Sequence, residues 1–275
     1  MPEAPDLEVI KEILTRRIVG RRVDTARVLR PTVLRSLAVE DFACDIAGRT
    51  LDGMTRRGKF LLLDFSGERK LLINPMLTGA LQVCTPKERI AKKTFFVMSL
   101  EGGLELRYLD DTQMGRVYYI TPEQMPDVPT FAEQGPDALS EPMTLQEFKA
   151  RLSRHHGEIK GILTGGQVVS GIGNAYADEV LFAAGLSPFR RRKSLTEQEL
   201  ARLHESISTV LLAAITVLRE RMGEETHHKV RDFLQVHNKG GLPCPRCGST
   251  ISQLNANQRI TSYCRHCQPG MLLKN

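Results

Sequence analysis

A chain of 275 residues with 41% apolar side chains and no low-complexity tract holds enough material for one large domain or two ordinary ones, which excludes a disordered or fibrous protein. The formal charge of +6 is all C-terminal: residues 1–140 carry 20 Lys and Arg against 20 Asp and Glu, and the remainder carries 18 against 12, which suits either a polyanionic partner or a solvated basic face. No uninterrupted apolar run approaches the roughly 18 residues that cross a bilayer, and the acidic start is unlike a signal peptide, so a cytoplasmic protein without a membrane span is expected.

Pro2 and Glu3 lead into the first element. Leu7, Ile10, Leu14 and Ile18 recur at three- and four-residue steps, Asp6 and Glu8 occupy the first turn, and Gly20 follows the last apolar residue. The pattern predicts an amphipathic helix whose N-terminus sits beside Pro2 and Glu3. From about residue 22 to 120, short runs such as KFLLLDFSGERKLLINPML and FFVMSLEGGLELRYLD are broken by SGER and EGG. These breaks read as hairpins of an antiparallel sandwich or barrel, with Cys44 and Cys84 as small core residues.

The stretch TPEQMPDVPTFAEQGPDALSEP, rich in proline and acid, reads as a linker, and helical periodicity returns from about 144 to 222. Within it, QVVSGIGNAYADEVLF places Gly171, Gly173 and Asn174 immediately before an apolar helix. Asn174 is a candidate N-cap, and the glycines let backbone N–H groups approach an anion at the helix's positive end. An ordinary interhelical turn would look similar.

Near the end, CPRCGSTISQLNANQRITSYCRHC sets Cys244 and Cys247 sixteen residues ahead of Cys264 and Cys267. Two C-x-x-C turns joined by a hairpin match a structural four-cysteine zinc ribbon holding one Zn2+. His266 reads as a bystander, because four thiolates already fill the shell. So short a segment buries little core, and metal binding would supply much of its folding free energy. Arg259 falls at or beside the Asn/Gln-rich tip, where its guanidinium could hold a phosphate bidentately or simply face solvent.

Taken together, MPEAPDLE, RRGKFLLL around Lys59, GPDAL, QVVSGIGNAYADEVLF and the ribbon ending CRHCQ resemble the formamidopyrimidine-DNA glycosylase and endonuclease VIII family over the full length. The resemblance implies an α+β multidomain protein. Residues 1–130 would form an N-terminal β-sandwich catalytic domain with its leading helix, 131–143 a linker, 144–240 a helix-two-turn-helix DNA-binding domain, and 241–275 the zinc finger. It also implies a monomer, nucleoid-associated, that excises oxidised bases from damaged double-stranded DNA and then cuts the strand by β,δ-elimination.

With Met1 removed, Pro2 would present a secondary amine that attacks C1′ and forms a protonated Schiff base. The positive helix end would disfavour its protonation. Glu3 would move protons at the opening sugar ring. Lys59, which contacts phosphate and assists catalysis, Asn74, Asn174 and Arg259 would hold DNA, with Arg259 also at the catalytic centre.

Relatives often read HLGMTG and DPRRFG where this chain reads NPMLTG and DDTQMG. Leu77, Thr112 and Met114 therefore stand where methionine, arginine and phenylalanine fill the void left by an everted base. Thr112 cannot donate bidentate bonds to the orphaned base, and Asn74 replaces a charged-capable histidine. The segment from Met222 to Cys244 is short, which suggests an open pocket nearer endonuclease VIII, accepting oxidised pyrimidines or ring-opened purines, with His227 and His228 on the surface. A competing reading is a protein that binds abasic or distorted DNA without base excision.

Overall fold

The computed structural model describes residues 1–140, 143–256 and 259–270. The chain divides into two compact units, residues 1–133 with 218–230, and 134–217 with the described residues from 231 onward.

In the first unit, α1 (Ala4–Ile18) buries Leu7, Ile10, Leu14 and Ile18 on the face that their spacing predicts. It packs on β3 (Leu51–Arg57) and β4 (Phe60–Phe65). Between α1 and β3 lie β1 (Val23–Val28), β2 (Leu34–Ser36) and α2 (Phe42–Ile46); β5 (Arg69–Asn74), β6 (Ala80–Cys84), β7 (Thr94–Leu100), β8 (Leu104–Leu109) and β9 (Arg116–Ile120) follow β4. One sheet runs β1-β7-β8-β6 and the other β2-β9-β5-β4-β3. SGER and EGG do form hairpin turns, but β2 pairs in parallel with β9, from Leu34↔Val117 to Ser36↔Tyr119. The sandwich is therefore antiparallel except at that edge.

Phe42 of α2 touches Phe96 of one sheet and Tyr119 of the other. Only Phe42 and Ile46 of this short helix turn inward, so Cys44 is exposed, contrary to the expectation of a core residue; Cys84 is buried. The proline-rich stretch after β9 returns Val128 and Phe131 to the core beside Phe60 and Leu72.

The second unit contains α3 (Leu145–Leu152), α4 (Ile159–Gly165), α5 (Asn174–Ala184) and most of α6 (Glu197–Arg221), followed by the hairpin β10 (Ser252–Ala256) and β11 (Arg259–Tyr263). Its core gathers Phe148, Leu163, Tyr176 and Leu181 with the α6 stripe Leu203, Ile207, Leu211 and Ala214. By length and composition α6 could cross a membrane, its most apolar 18-residue window having a mean hydropathy of 1.3. Ser, Thr and His break its apolar runs, which is why run length alone does not reveal it.

Candidate functional site

In the first unit, the entry to α1 is buried. Glu3 is the N-cap residue and is 2% exposed, and its amide donates to Asp6 Oδ2 at 2.7 Å within a reciprocal capping box. Pro2, also buried, lines a narrow cleft with Asp6, Gly79, Tyr108, Thr226 and His227.

Lys59 is half-buried on the two-residue turn joining β3 to β4, where Gly58 takes φ +59°. A side chain at that φ would be strained, so the glycine permits the tight turn. Arg56 fastens the turn to α1: its guanidinium donates to Gly58 O at 3.0 Å and to Glu8 Oε2 at 2.7 Å. Burial pulls the Glu8 carboxyl upward, but its bonds from Lys11 and Arg56 outweigh this and hold it below the usual range.

Two loops carry the residues that the sequence comparison proposed as void fillers. Leu77 and Met114 are 43% and 47% exposed, unusually so for large apolar side chains. Each loop also holds a non-glycine residue in the left-handed region, Met76 at φ 51° and Gln113 at φ 56°. Thr112 is exposed as well, but its polar groups are engaged. Its amide donates to Thr78 Oγ1 at 2.9 Å and its hydroxyl lies 2.8 Å from the same atom.

Below them, the buried Asp110 carboxylate accepts from Thr78 Oγ1, from the Thr112 amide and hydroxyl at 3.2 Å each, and from Gly115 N at 2.7 Å. Tyr108 completes the join: a Cβ on Gly79 would lie 2.3 Å, and one on Gly115 1.9 Å, from its hydroxyl. Asn74, 8% exposed at the end of β5, accepts from Met76 N at 3.1 Å through Oδ1. Half of its amide is thus committed to shaping the Leu77 loop.

In the second unit, the N-cap of α5 is Gly173, not Asn174. Asn174 is the first helical residue, and its Nδ2 donates to Ile260 O at 2.6 Å instead of capping its own helix. The structure thereby brings Asn174 beside exposed Arg259. Tip residues 257 and 258 lie outside the described residues.

Lys160, 8% exposed, reaches the same strand, donating to Ile260 O and Thr261 Oγ1 at 2.9 Å and pairing with Asp178 at 2.7 Å. Asp178 also accepts from Ser262 N at 3.1 Å and contacts His237 Nδ1 at 2.7 Å. This buried network fixes the β11 backbone next to Arg259. Sequence reading missed it, although a lysine set between Ile159 and Ile162 at core spacing is a signal of a buried, paired charge.

The sulfurs of Cys244, Cys247, Cys264 and Cys267 all lie within 4.8 Å of one another. Two pairs stand at 3.9 and 3.5 Å, close to the edge of about 3.8 Å for a tetrahedron of thiolates bound at about 2.3 Å. The donor set fits zinc, and Cys267 N donates to Cys264 Sγ at 3.4 Å. His266 is exposed outside the cluster.

His228 is exposed, as the sequence suggested; His227 is half-buried, with its Nδ1 turned away from solvent. Thr226 Oγ1 donates to Leu81 O at 2.6 Å and Lys229 Nζ to Leu77 O at 2.8 Å. These bonds tie the segment to β6 before His227 and to the Leu77 loop after it.

Three family models match successive stretches of the chain: the formamidopyrimidine-DNA glycosylase N-terminal domain over residues 1–117, the formamidopyrimidine-DNA glycosylase H2TH domain over 134–226, and the zinc finger found in FPG and IleRS over 241–270. A protein named formamidopyrimidine-DNA glycosylase from Symbiobacterium thermophilum is 38% identical over 276 residues, covering 98% of this chain and 90% of the relative. One of the same name from Pelotomaculum thermopropionicum is 33% identical, covering 98% and 99%. Among solved structures, Lactococcus lactis Fpg (MutM) bound to DNA containing N7-benzyl-Fapy-dG superposes with a TM-score of 0.88 at 28% identity, covering 98% of this chain and 100% of that one. Its complex with DNA containing an abasic site gives the same TM-score and identity over the same shares of the two chains.

Proposed function

Because the chain belongs to the formamidopyrimidine-DNA glycosylase family, we propose that it is a bifunctional DNA glycosylase and AP lyase acting as a monomer on damaged double-stranded DNA at the nucleoid. The observation that carries this reading is the buried pairing of Pro2 and Glu3 at the head of α1, beside a cleft.

Once Met1 is removed, the Pro2 nitrogen attacks C1′, the bond from C1′ to the base breaks with its electron pair leaving on the base, and the proton shed by the Pro2 nitrogen is matched by the one the departing base takes up. The Glu3 carboxyl gives a proton to the sugar ring oxygen as the bond from C1′ to that oxygen opens, leaving an iminium between Pro2 and C1′. Loss of a C2′ proton then expels the 3′ phosphate, and a second elimination expels the 5′ phosphate. Hydrolysis of the iminium frees the enzyme. Lys59, Asn74, Asn174 and Arg259 hold backbone phosphates, and Lys59 and Arg259 each assist the chemistry. Leu77 and Met114 enter the stack in place of the everted nucleotide.

The lesion preference proposed is nearer endonuclease VIII, for oxidised pyrimidines and ring-opened purines. Two features support it. Thr112 is occupied in joining the loops, so it exerts little demand on the opposite base. The stretch between Met222 and Cys244 is too short for a long loop closing over the base. The solved complex of Lactococcus lactis Fpg with DNA containing Fapy-dG supports the ring-opened purine half of the reading.

Borohydride trapping on an abasic duplex tests the chemistry. The processed protein is expected to form a covalent complex, and a variant with one residue left ahead of Pro2 is not. Equal trapping by the blocked protein would overturn the assignment of Pro2. A panel of duplexes with single defined lesions tests the preference, and fastest release of 8-oxoguanine would refute it.

A further inference from the structure

The cleft beside Pro2 contains two polar atoms that the steps above leave unused. His227 Nδ1 and Tyr108 Oη are both buried, line this cleft and have no hydrogen-bond partner among the described residues. A buried polar atom without a partner is costly, and in a ligand pocket it marks where a ligand atom completes the pairing. Tyr108 is wedged against Gly79 and Gly115 and has no freedom to approach a ligand. His227 differs, because its place is set by the bonds of Thr226 to Leu81 O and Lys229 to Leu77 O. Those bonds hold the segment against β6 and the loop that carries Leu77, and His227 lines the Pro2 cleft between them.

From this geometry we infer that His227 is a specificity-determining residue, whose Nδ1 hydrogen-bonds the polar edge of the base everted into the Pro2 cleft. The inference rests on the glycosylase reading and deepens it. Burial, reinforced by the neighbouring His228 and Lys93 against the opposing pull of Glu225 and Glu88, holds the imidazole below its usual range and therefore neutral near pH 7. A neutral ring chooses its tautomer, so Nδ1 serves either a carbonyl or an N–H edge. Ring-opened purines and oxidised pyrimidines both present such edges.

The test separates base recognition from sugar chemistry by comparing single-turnover release of a lesion base with borohydride trapping on a preformed abasic duplex, which has no base to contact. The proteins are the wild type, His227→Leu and His227→Asn, the last placing an amide where Nδ1 stands. For His227→Leu, base release is expected to fall about tenfold to a hundredfold, while abasic trapping stays within about twofold of wild type and His227→Asn recovers most of the loss. Matched thermal melting of the three proteins shows that each is folded.

Equal loss on both substrates would assign His227 to scaffolding, and an unchanged rate of base release for His227→Leu would remove it from recognition; either overturns the inference alone. If His227→Leu fails to fold, His227→Asn decides, since a loss of trapping parallel to base release would overturn the inference and wild-type behaviour would uphold it. A processed wild-type protein that traps no duplex would instead overturn the glycosylase reading, and the inference with it.

Discussion

Replacing Asp110 by alanine removes the acceptor on which the two wedge loops converge. Four donor groups reach this carboxylate, and their environments differ. Gly115 N is buried at 2.7 Å, so it loses a charge-assisted bond of about 1.5–3 kcal/mol with no water to replace it. Thr78 Oγ1 keeps Thr112 Oγ1 at 2.8 Å, and its loss is nearer 1 kcal/mol. The two bonds from Thr112 are longer and partly solvated, and water makes good most of their value.

The expected cost is therefore about 2.5–4 kcal/mol, local to the loops. Native-state hydrogen exchange at the Gly115 amide reads that local opening directly, where a single unfolding midpoint for a two-unit chain would not. Base release from lesion duplexes is expected to fall with it, while binding to undamaged DNA changes little. A loss of protection below about 1 kcal/mol would refute the idea that Asp110 holds the loops together.

The pair formed by Glu8 and Arg56 sets a pH dependence. The folded-state pKa of Glu8 is lowered, so its stabilisation is present above the unfolded value near 4.5 and disappears as pH falls through the folded value. Arg56→Met is expected to flatten that acid limb in melts from about pH 3 to 7 and to raise KM for DNA through a loosened Lys59 turn; an unaltered acid limb would count against it. Chelating the metal should open the β10–β11 hairpin to proteolysis and abolish tight DNA binding, since the ribbon's stability comes largely from the ion; a metal-free protein with an unchanged digestion pattern would contradict this. Arg259→Ala should lower the slope of log K against log salt by about one, and Lys160→Met, which frees the β11 backbone, should weaken binding without changing that slope. A reduced slope in the lysine variant would mean that it touches phosphate itself.

What can be read from the sequence follows a physical division. The face of α1, the hairpins around SGER and EGG and the four-cysteine ribbon all depend on spacing within a few residues, and each is written in the chain as such. Cys44 and the N-cap of α5 are misjudged from sequence because both depend on what lies across the fold. A five-residue helix has only two inward positions, and Ile260 competes for the Asn174 amide. The parallel β2 edge escapes notice for the same reason, since three residues carry no signal of direction. The buried Nδ1 of His227 is hidden more completely: a histidine in a polar stretch looks like surface until Thr226 and Lys229 are seen bonded to β6 and to the Leu77 loop.

The phenol of Tyr108, seated between Gly79 and Gly115, also bears on how such a protein can diversify. Any side chain at either glycine would collide with it, so the floor of both loops resists change. The exposed tips at Leu77 and Met114 bear no such restriction and can be exchanged one at a time while the platform keeps its shape, whereas Thr112 is tied into that platform by its bonds to Thr78 and Asp110. A lineage built this way can alter which damage it attends to by small steps, none of which risks the integrity of the molecule.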